Sequence, residues 1–237
     1  EITTRLVGSE MCIRDSYLLF VDGDDWLAPN LLEDLSASIA ATPADLYLFG
    51  ALVERDGKVT GELHEELPAD LPTHTKDAPQ LFFGVMAPWN RAYRRTLFTE
   101  GGIRFATKVW YEDIRIVTKV LALAEQVVRL PGAYYHYLQR EGSAMNNKNC
   151  ARNVEILYAF DDILGWFGEH GLREAYRDEL TFLAISHLLI AASVRVARID
   201  CKSELLGQFR DYMEKNFPDF RENRYLPRLD RNKRLVY

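Results

Sequence analysis

Three carboxylates stand together in the stretch Tyr17-Leu-Leu-Phe-Val-Asp22-Gly23-Asp24-Asp25-Trp26. Asp22 and Asp24 are two residues apart, so extended backbone would turn both to one side. Carboxylates in that arrangement can hold a hard divalent cation, Mg²⁺ or Mn²⁺, through one or two oxygens while a substrate phosphate supplies others. They can also accept hydrogen bonds from sugar hydroxyls. The competing reading is a plain turn, because Asp-Gly and Asp-Asp are common turn residues. A second acidic pair, Glu112-Asp113, opens a segment whose apolar residues at 114, 117, 120, 121 and 124 follow helical spacing. On charge alone it is a first-turn pair that complements the helix dipole. His136, between Tyr135 and Tyr137, is a further metal-ligand candidate, although a lone imidazole in a strand more often packs.

The elements that must position these groups read as an α/β arrangement. Five apolar or aromatic residues, Tyr17 to Val21, are too few for a helix of ordinary length and form a buried strand. That strand delivers Asp22, Asp24 and Asp25 to a loop at its carboxyl end, where ligands of open α/β sheets collect. Pro29 suits the first turn of a helix over Asn30 to Ile39, with 31, 32, 35 and 39 on one face. Asp45 to Val53 reads as a strand, Asp56-Gly57 as a turn into a short partner over Lys58 to Leu63, and Gly61 to Pro72 as an acidic surface loop. Ala78 to Val85 is a candidate short helix. Gln126 to Leu130, Pro131-Gly132 and Ala133 to Leu138 read as strand, turn and strand. From Ala151 the pattern becomes helical, over Val154 to Phe167, Arg173 to Ala197 and Lys202 to Asn216, with the first two separated at Gly168 to Gly171.

The 237 residues, 48% of them hydrophobic, are ample for a core. A net charge of −6 argues against a nucleic-acid partner. Cys12, Cys150 and Cys201 are scattered and odd in number, which suggests neither a disulfide framework nor a zinc site and fits a cytoplasmic location. No apolar run approaches the ~20 residues needed to span a bilayer. The basic end, Arg228 to Tyr237, leaves room for peripheral contact with the inner face of a plasma membrane. There is no internal repeat.

Phe20-Val-Asp-Gly-Asp-Asp-Trp-Leu27 resembles the DxD segment of family 2 glycosyltransferases, inverting enzymes of GT-A fold that use nucleotide-sugar donors. Three further stretches carry the likeness. Trp89-Asn-Arg-Ala-Tyr-Arg-Arg95 is similar to a segment beside the family's acceptor site, which implies that Trp89 stacks on a sugar ring and Asn90 bonds a hydroxyl; packing is the even alternative for a tryptophan. Glu112-Asp113 resembles the acidic pair whose Asp is the family's catalytic base, which makes Asp113 the base and Glu112 its neighbour in the substrate site. The run through Tyr135, Tyr137, Arg140 and Ser143 resembles a closing segment in which Arg140 and Ser143 face the diphosphate or order a loop.

The resemblance implies a metal cofactor, Mn²⁺ or Mg²⁺, held by Asp24 and Asp22, with Asp25 supporting the loop. It also implies a nucleotide-sugar donor and a saccharide or lipid-linked acceptor, in bacterial surface polysaccharide synthesis. The expected fold is a truncated GT-A-like (Rossmann-like) mixed sheet flanked by helices, followed by a C-terminal helical region. Residues 1–16 resemble translated sequencing-adapter text and are set apart from the fold. Residues 17–148 form a partial GT-A catalytic domain without the family's opening strand and nucleotide-binding βα units, and 149–237 the helical region. The expectation is that Asp22, Asp24 and Asp113 share a sugar-sized cleft. An inactive relic, or a carbohydrate- or nucleotide-binding module without catalysis, is the alternative. A haloacid-dehalogenase-like phosphatase is disfavoured because Trp26 stands where a Thr or Val belongs, and an EF-hand because Trp26 and Leu27 replace oxygen ligands.

Overall fold

The computed structural model describes residues 17–139 and 150–229. They divide into two compact units. One runs to Arg104 and resumes at Val120; the other takes Phe105–Lys119 and, among the described residues, everything from 150 onward.

The first unit is a mixed sheet built on two long strands. Strands β3 (Leu46–Arg55) and β7 (Gln126–Leu138) run parallel, and each carries two short antiparallel partners in succession along its other edge. On β3 these are β6 (Arg91–Arg94) and then β4 (Lys58–Leu63); on β7 they are β5 (Pro72–His74) and then β2 (Trp26–Leu27). Strand β1 (Tyr17–Leu19) pairs with β6, giving the order β1-β6-β3-β7-β2. The β3–β4 hairpin turns at Asp56-Gly57 with both residues at positive φ, the geometry that this dipeptide favours. Asp45, at the head of β3, accepts from the backbone N–H groups of Glu125 and Gln126 and from Arg94 Nε, which fixes the register of three strands at once.

Strand alternation covers both faces of this sheet. Tyr47, Phe49 and Ala51 join Val128, Leu130 and Ala92 in a core with Leu31 and Leu35 of helix α1 (Leu31–Ala41). Leu46, Leu48 and Tyr93 alternate to the other side and are fully buried there. On that side Phe20, Tyr93 and Phe98 of helix α2 (Thr96–Thr99) meet ring against ring at 5.4–5.7 Å.

The structure departs from the sequence pattern in three places. Pro131-Gly132 is not a turn: β7 is continuous, and its pairing with β3 shifts between Leu48 and Ala51 to accommodate the extra residues. Gly50 makes that irregularity possible, since a Cβ there would sit 3.2 Å from the Ala133 Cα. Ala78 to Val85 narrows to a single 3₁₀ turn, Pro79–Phe82. The acidic stretch after Gly61 is not all surface, because Glu65 is buried in a salt bridge with Arg91 (Nη2 to Oε1, 3.1 Å). Arg91 also donates to the Val85 carbonyl and, through Nε, to Asn90 Oδ1. A side chain on Gly84 would collide with the Glu65 carboxylate.

In the second unit, helix α4 (Glu155–Glu169) buries Ile156, Phe160, Ile163 and Phe167 on one face. A 23-residue helix follows: α5 (Arg177–Ala184), a π-helical segment (Ile185–Ala192) and α6 (Ser193–Ile199). By length and composition it is long and apolar enough to cross a membrane, with a mean hydropathy of 1.8 over its most apolar stretch, which the sequence reading did not anticipate; 61% of that stretch is buried inside the protein, as in a core helix. Helix α7 (Glu204–Asn216) packs through Phe209 and Met213. Helix α3 (Glu112–Leu123) begins in this unit and ends in the other. A mixed sheet with helices against it, followed by a helical C-terminal region, is the fold class expected.

Burial pushes the Glu65 carboxyl above its usual range, and the Arg91 charge pulls it back down. Removing only the cation would therefore strand a buried acid. Arg91→Met is expected to lower the free energy of unfolding by about 3–5 kcal/mol, and adding Glu65→Leu to recover most of that loss. Urea titration checks both; a double variant no better than Arg91→Met would contradict the pairing.

Candidate functional site

Asp22 to Asp25 form a tight turn, closed by the Asp25 N–H donating to the Asp22 carbonyl at 3.1 Å. Its position is set from β7. The Tyr135 hydroxyl accepts from the Asp22 N–H at 3.1 Å and donates to Asp25 Oδ2 at 2.7 Å, while the Leu138 N–H donates to Asp25 Oδ1 at 2.8 Å. Both Asp25 oxygens are thus engaged in bracing the turn. Asp24 is exposed, and Asp22 is half-buried. Burial drives the Tyr135 hydroxyl well above its ordinary pKa, and the Asp25 carboxylate adds to the rise against the Asp22 N–H, so it remains a protonated donor.

Trp89 lies behind this brace. Its ring is 7% exposed and stacks on Tyr135 (4.4 Å between centroids, 19°) and on Tyr137 (5.4 Å, 17°). Asn90 is 1% exposed, its Oδ1 occupied by Arg91. The structure therefore brings the acidic turn and the Trp89-Asn90 segment together through one residue, Tyr135, with Trp89 serving the packing beneath the turn. His136 is paired as well: its Nδ1 lies 2.6 Å from Glu54 Oε1, and its ring lies under that of Trp26 (5.0 Å, 15°), which is 42% exposed. Among the described residues no group of three or more His, Cys, Asp or Glu side chains is placed to hold a metal.

Glu112 and Asp113 occupy the first turn of α3, half-buried, in the second unit. The backbone leading to them is pegged: the Trp110 N–H donates to Glu155 Oε2 at 2.6 Å, and Arg152, ion-paired with Glu155, stacks over the Trp110 ring at 4.9 Å and donates to the Lys108 carbonyl. The Arg152 hydrogen bond holds the Glu155 carboxyl below its usual range. Arg140 and Ser143 lie outside the described residues. A cavity of about 540 Å³ among the C-terminal helices, lined in part by Arg173, Arg177, Asp178 and Asn223, contains none of the sequence-predicted residues.

Residues 4–102 match the family model for glycosyl transferase family 2. The match covers less than half of the chain. It includes the acidic turn, Trp89 and Asn90, and begins inside the segment set apart above. A glycosyltransferase of Streptococcus pneumoniae serotype 4, GlyA, is 27% identical over 138 residues, which cover 54% of this chain and 20% of that protein. The chain thus spans about a fifth of that relative's length. Among solved structures, S. aureus TarS residues 1–349 with UDP-GlcNAc aligns at TM-score 0.48 and 19% identity, over 89% of this chain and 69% of that one. The same protein with UDP aligns at 0.46 and 19%, over 90% and 66%.

Tyr135 and Glu65 are the residues that sequence reasoning missed here. The aromatic run around Tyr135 was visible, but nothing local signals a partner more than a hundred residues away.

The three aspartates should separate on substitution. Asp25→Ala is expected to cost about 1.5–3 kcal/mol, as for a lost hydrogen bond to a charged group, and Tyr135→Phe to speed hydrogen exchange at the Asp22 amide. Asp24→Ala should stay within about 0.5 kcal/mol of the parent, as an exposed position does. Equal costs at Asp24 and Asp25 would contradict this division.

Proposed function

We propose that this chain is the catalytic portion of an inverting glycosyltransferase that moves a sugar from a nucleotide-sugar donor to a saccharide or lipid-linked acceptor. The setting we infer is bacterial surface polysaccharide assembly on the cytoplasmic side of the plasma membrane, with peripheral contact through the basic C-terminal segment. The observation that carries the reading is the rigid acidic turn at the end of β1. Asp25 braces it through both carboxylate oxygens, and Asp24 stands exposed on the same turn beside half-buried Asp22. Its place within the segment matched to the family model supports the same reading.

Carboxylate oxygens suit Mg²⁺ or Mn²⁺, and one or two of them together with substrate phosphates make a usual site for these ions. Asp24, with Asp22 directly or through the donor's ribose, would hold the metal. When bound, such an ion neutralises charge developing on the leaving nucleoside diphosphate. The protein's own contribution is positional and proton-handling. Tyr135 keeps the turn from shifting, with Trp89 stacked behind it. Asn90 stays within that packed layer, and Arg140 and Ser143 act on the diphosphate side. Asp113 takes the proton from the acceptor hydroxyl as that oxygen attacks the anomeric carbon opposite the leaving group, and the configuration inverts. Glu112 lines the acceptor beside it.

The experiment is transfer assayed with a panel of nucleotide sugars and saccharide acceptors, with product configuration read by NMR. Asp113→Asn should abolish transfer, by more than about a hundredfold given what general-base catalysis supplies, and leave donor binding unchanged. An active Asp113→Asn variant, or a product of retained configuration, would overturn the reading.

A further inference from the structure

The residue before the Glu112-Asp113 pair is held in a conformation it would not choose. Tyr111 has φ +65°, and three residues earlier Lys108 has φ +62°. Left-handed backbone is uncommon for any residue with a Cβ and is an outlier for a bulky aromatic, so surrounding contacts must offset its cost. Those contacts are visible. The Tyr111 hydroxyl donates to Asn153 Oδ1 at 3.0 Å, and Arg195 Nη1 donates both to the Tyr111 hydroxyl, at 2.9 Å, and to Asn153 Oδ1, at 3.4 Å. The three side chains close a ring of hydrogen bonds. Asn153 is fully buried, and the Arg195 guanidinium also lies 5.8 Å from the centre of the Tyr111 ring.

Each member comes from a different element: the approach to α3, the 3₁₀ turn Cys150–Val154, and α6 directly after the π segment. A π turn takes an extra residue per hydrogen-bonded ring, so side chains beyond it are rotated relative to a plain α-helical continuation. The segment Ile185–Ala192 therefore sets the direction in which Arg195 projects. His187, within that segment, is kept at about 4 by burial and then by the Arg195 charge, so at neutral pH it adds no second cation beside Arg195. Trp110 and Lys108 are pegged independently by Glu155 and Arg152. Ordering the backbone at 108, 110 and 111, with strain accepted at two of those positions, makes sense if the residues that follow must be held still.

We propose that Tyr111, Asn153 and Arg195 are positioning residues that fix the carboxylates of Glu112 and Asp113 at the start of α3. The proposal rests on the reading of Asp113 as the base. It adds that the base is aimed from the helical region, through an arginine more than eighty residues away in sequence. The ring touches no substrate and moves no proton; it limits where the first turn of α3 can go.

The test compares Tyr111→Phe, Arg195→Met and Arg195→Lys with the parent and with Asp113→Asn, on the intact protein, measuring transfer with the best donor of the panel. Tyr111→Phe keeps the ring and removes the donor, so it is the variant least prone to misfold. The expected result for Tyr111→Phe and Arg195→Met is a kcat lower by about tenfold to a hundredfold, the usual cost of a misplaced catalytic group. Donor KM should stay within about twofold, and the melting temperature of Tyr111→Phe within about 4 °C. Arg195→Lys, with a cation but no planar fork, should recover part of the rate. Unchanged kcat in both Tyr111→Phe and Arg195→Met while Asp113→Asn is inactive would overturn the positioning role and leave the base standing. A loss that only follows the fraction unfolded, or that falls on donor KM alone, would also overturn it. An active Asp113→Asn would instead remove the base reading on which the proposal rests.

Discussion

One phenolic hydroxyl holds the candidate site in place. Tyr135 accepts from the backbone of Asp22 and donates to the side chain of Asp25, so both ends of the acidic turn are tied to β7, which pairs with the central strand β3. An exposed loop carrying three carboxylates would otherwise spread, because like charges repel and aspartate-glycine sequences are pliable. Here the repulsion is met by giving Asp25 three jobs' worth of contact: the tyrosine hydroxyl, the Leu138 amide, and closure of the turn through its own N–H. The stack of Trp89 against Tyr135 and Tyr137 then keeps the phenol from swinging away.

The same logic recurs further along the chain with different chemistry. The acidic pair at the start of α3 is preceded by backbone in left-handed conformations, stabilised by a buried asparagine, two arginines and a glutamate. In both places neighbouring residues brace the backbone that carries the residues of chemical interest. The buried Arg91–Glu65 pair extends the principle to Trp89-Asn90, since Arg91 follows directly in the chain and its guanidinium anchors that strand to the loop before it.

How much of this was legible in the sequence depends on how far apart the partners lie. The Asp22–Asp25 turn, the Asp56-Gly57 hairpin and the first-turn placement of Glu112 and Asp113 follow from local rules, because turn and helix-start preferences act over three or four residues. Pro131-Gly132 misleads by the same rules: a Pro-Gly step favours a turn, but Gly50 on the facing strand lets β7 absorb it as an irregularity. Glu65 sits in an acidic, proline-containing stretch that resembles surface, and only its distant partner Arg91 makes burial tolerable. Tyr135, Asn153 and Arg195 carry no local signal at all. Their roles arise from contacts spanning 42 to 113 residues, which a single sequence does not encode in any readable period.

Whether the braced turn binds a nucleotide through a metal decides what this chain does. Isothermal titration of the protein with UDP, GDP and dTDP sugars, with and without Mn²⁺, measures this directly. One donor class should bind only when Mn²⁺ is present, and Asp24→Asn should remove that binding while leaving the fold intact. Binding that is indifferent to both Mn²⁺ and Asp24, or no binding of any nucleotide sugar by the folded protein, would contradict it.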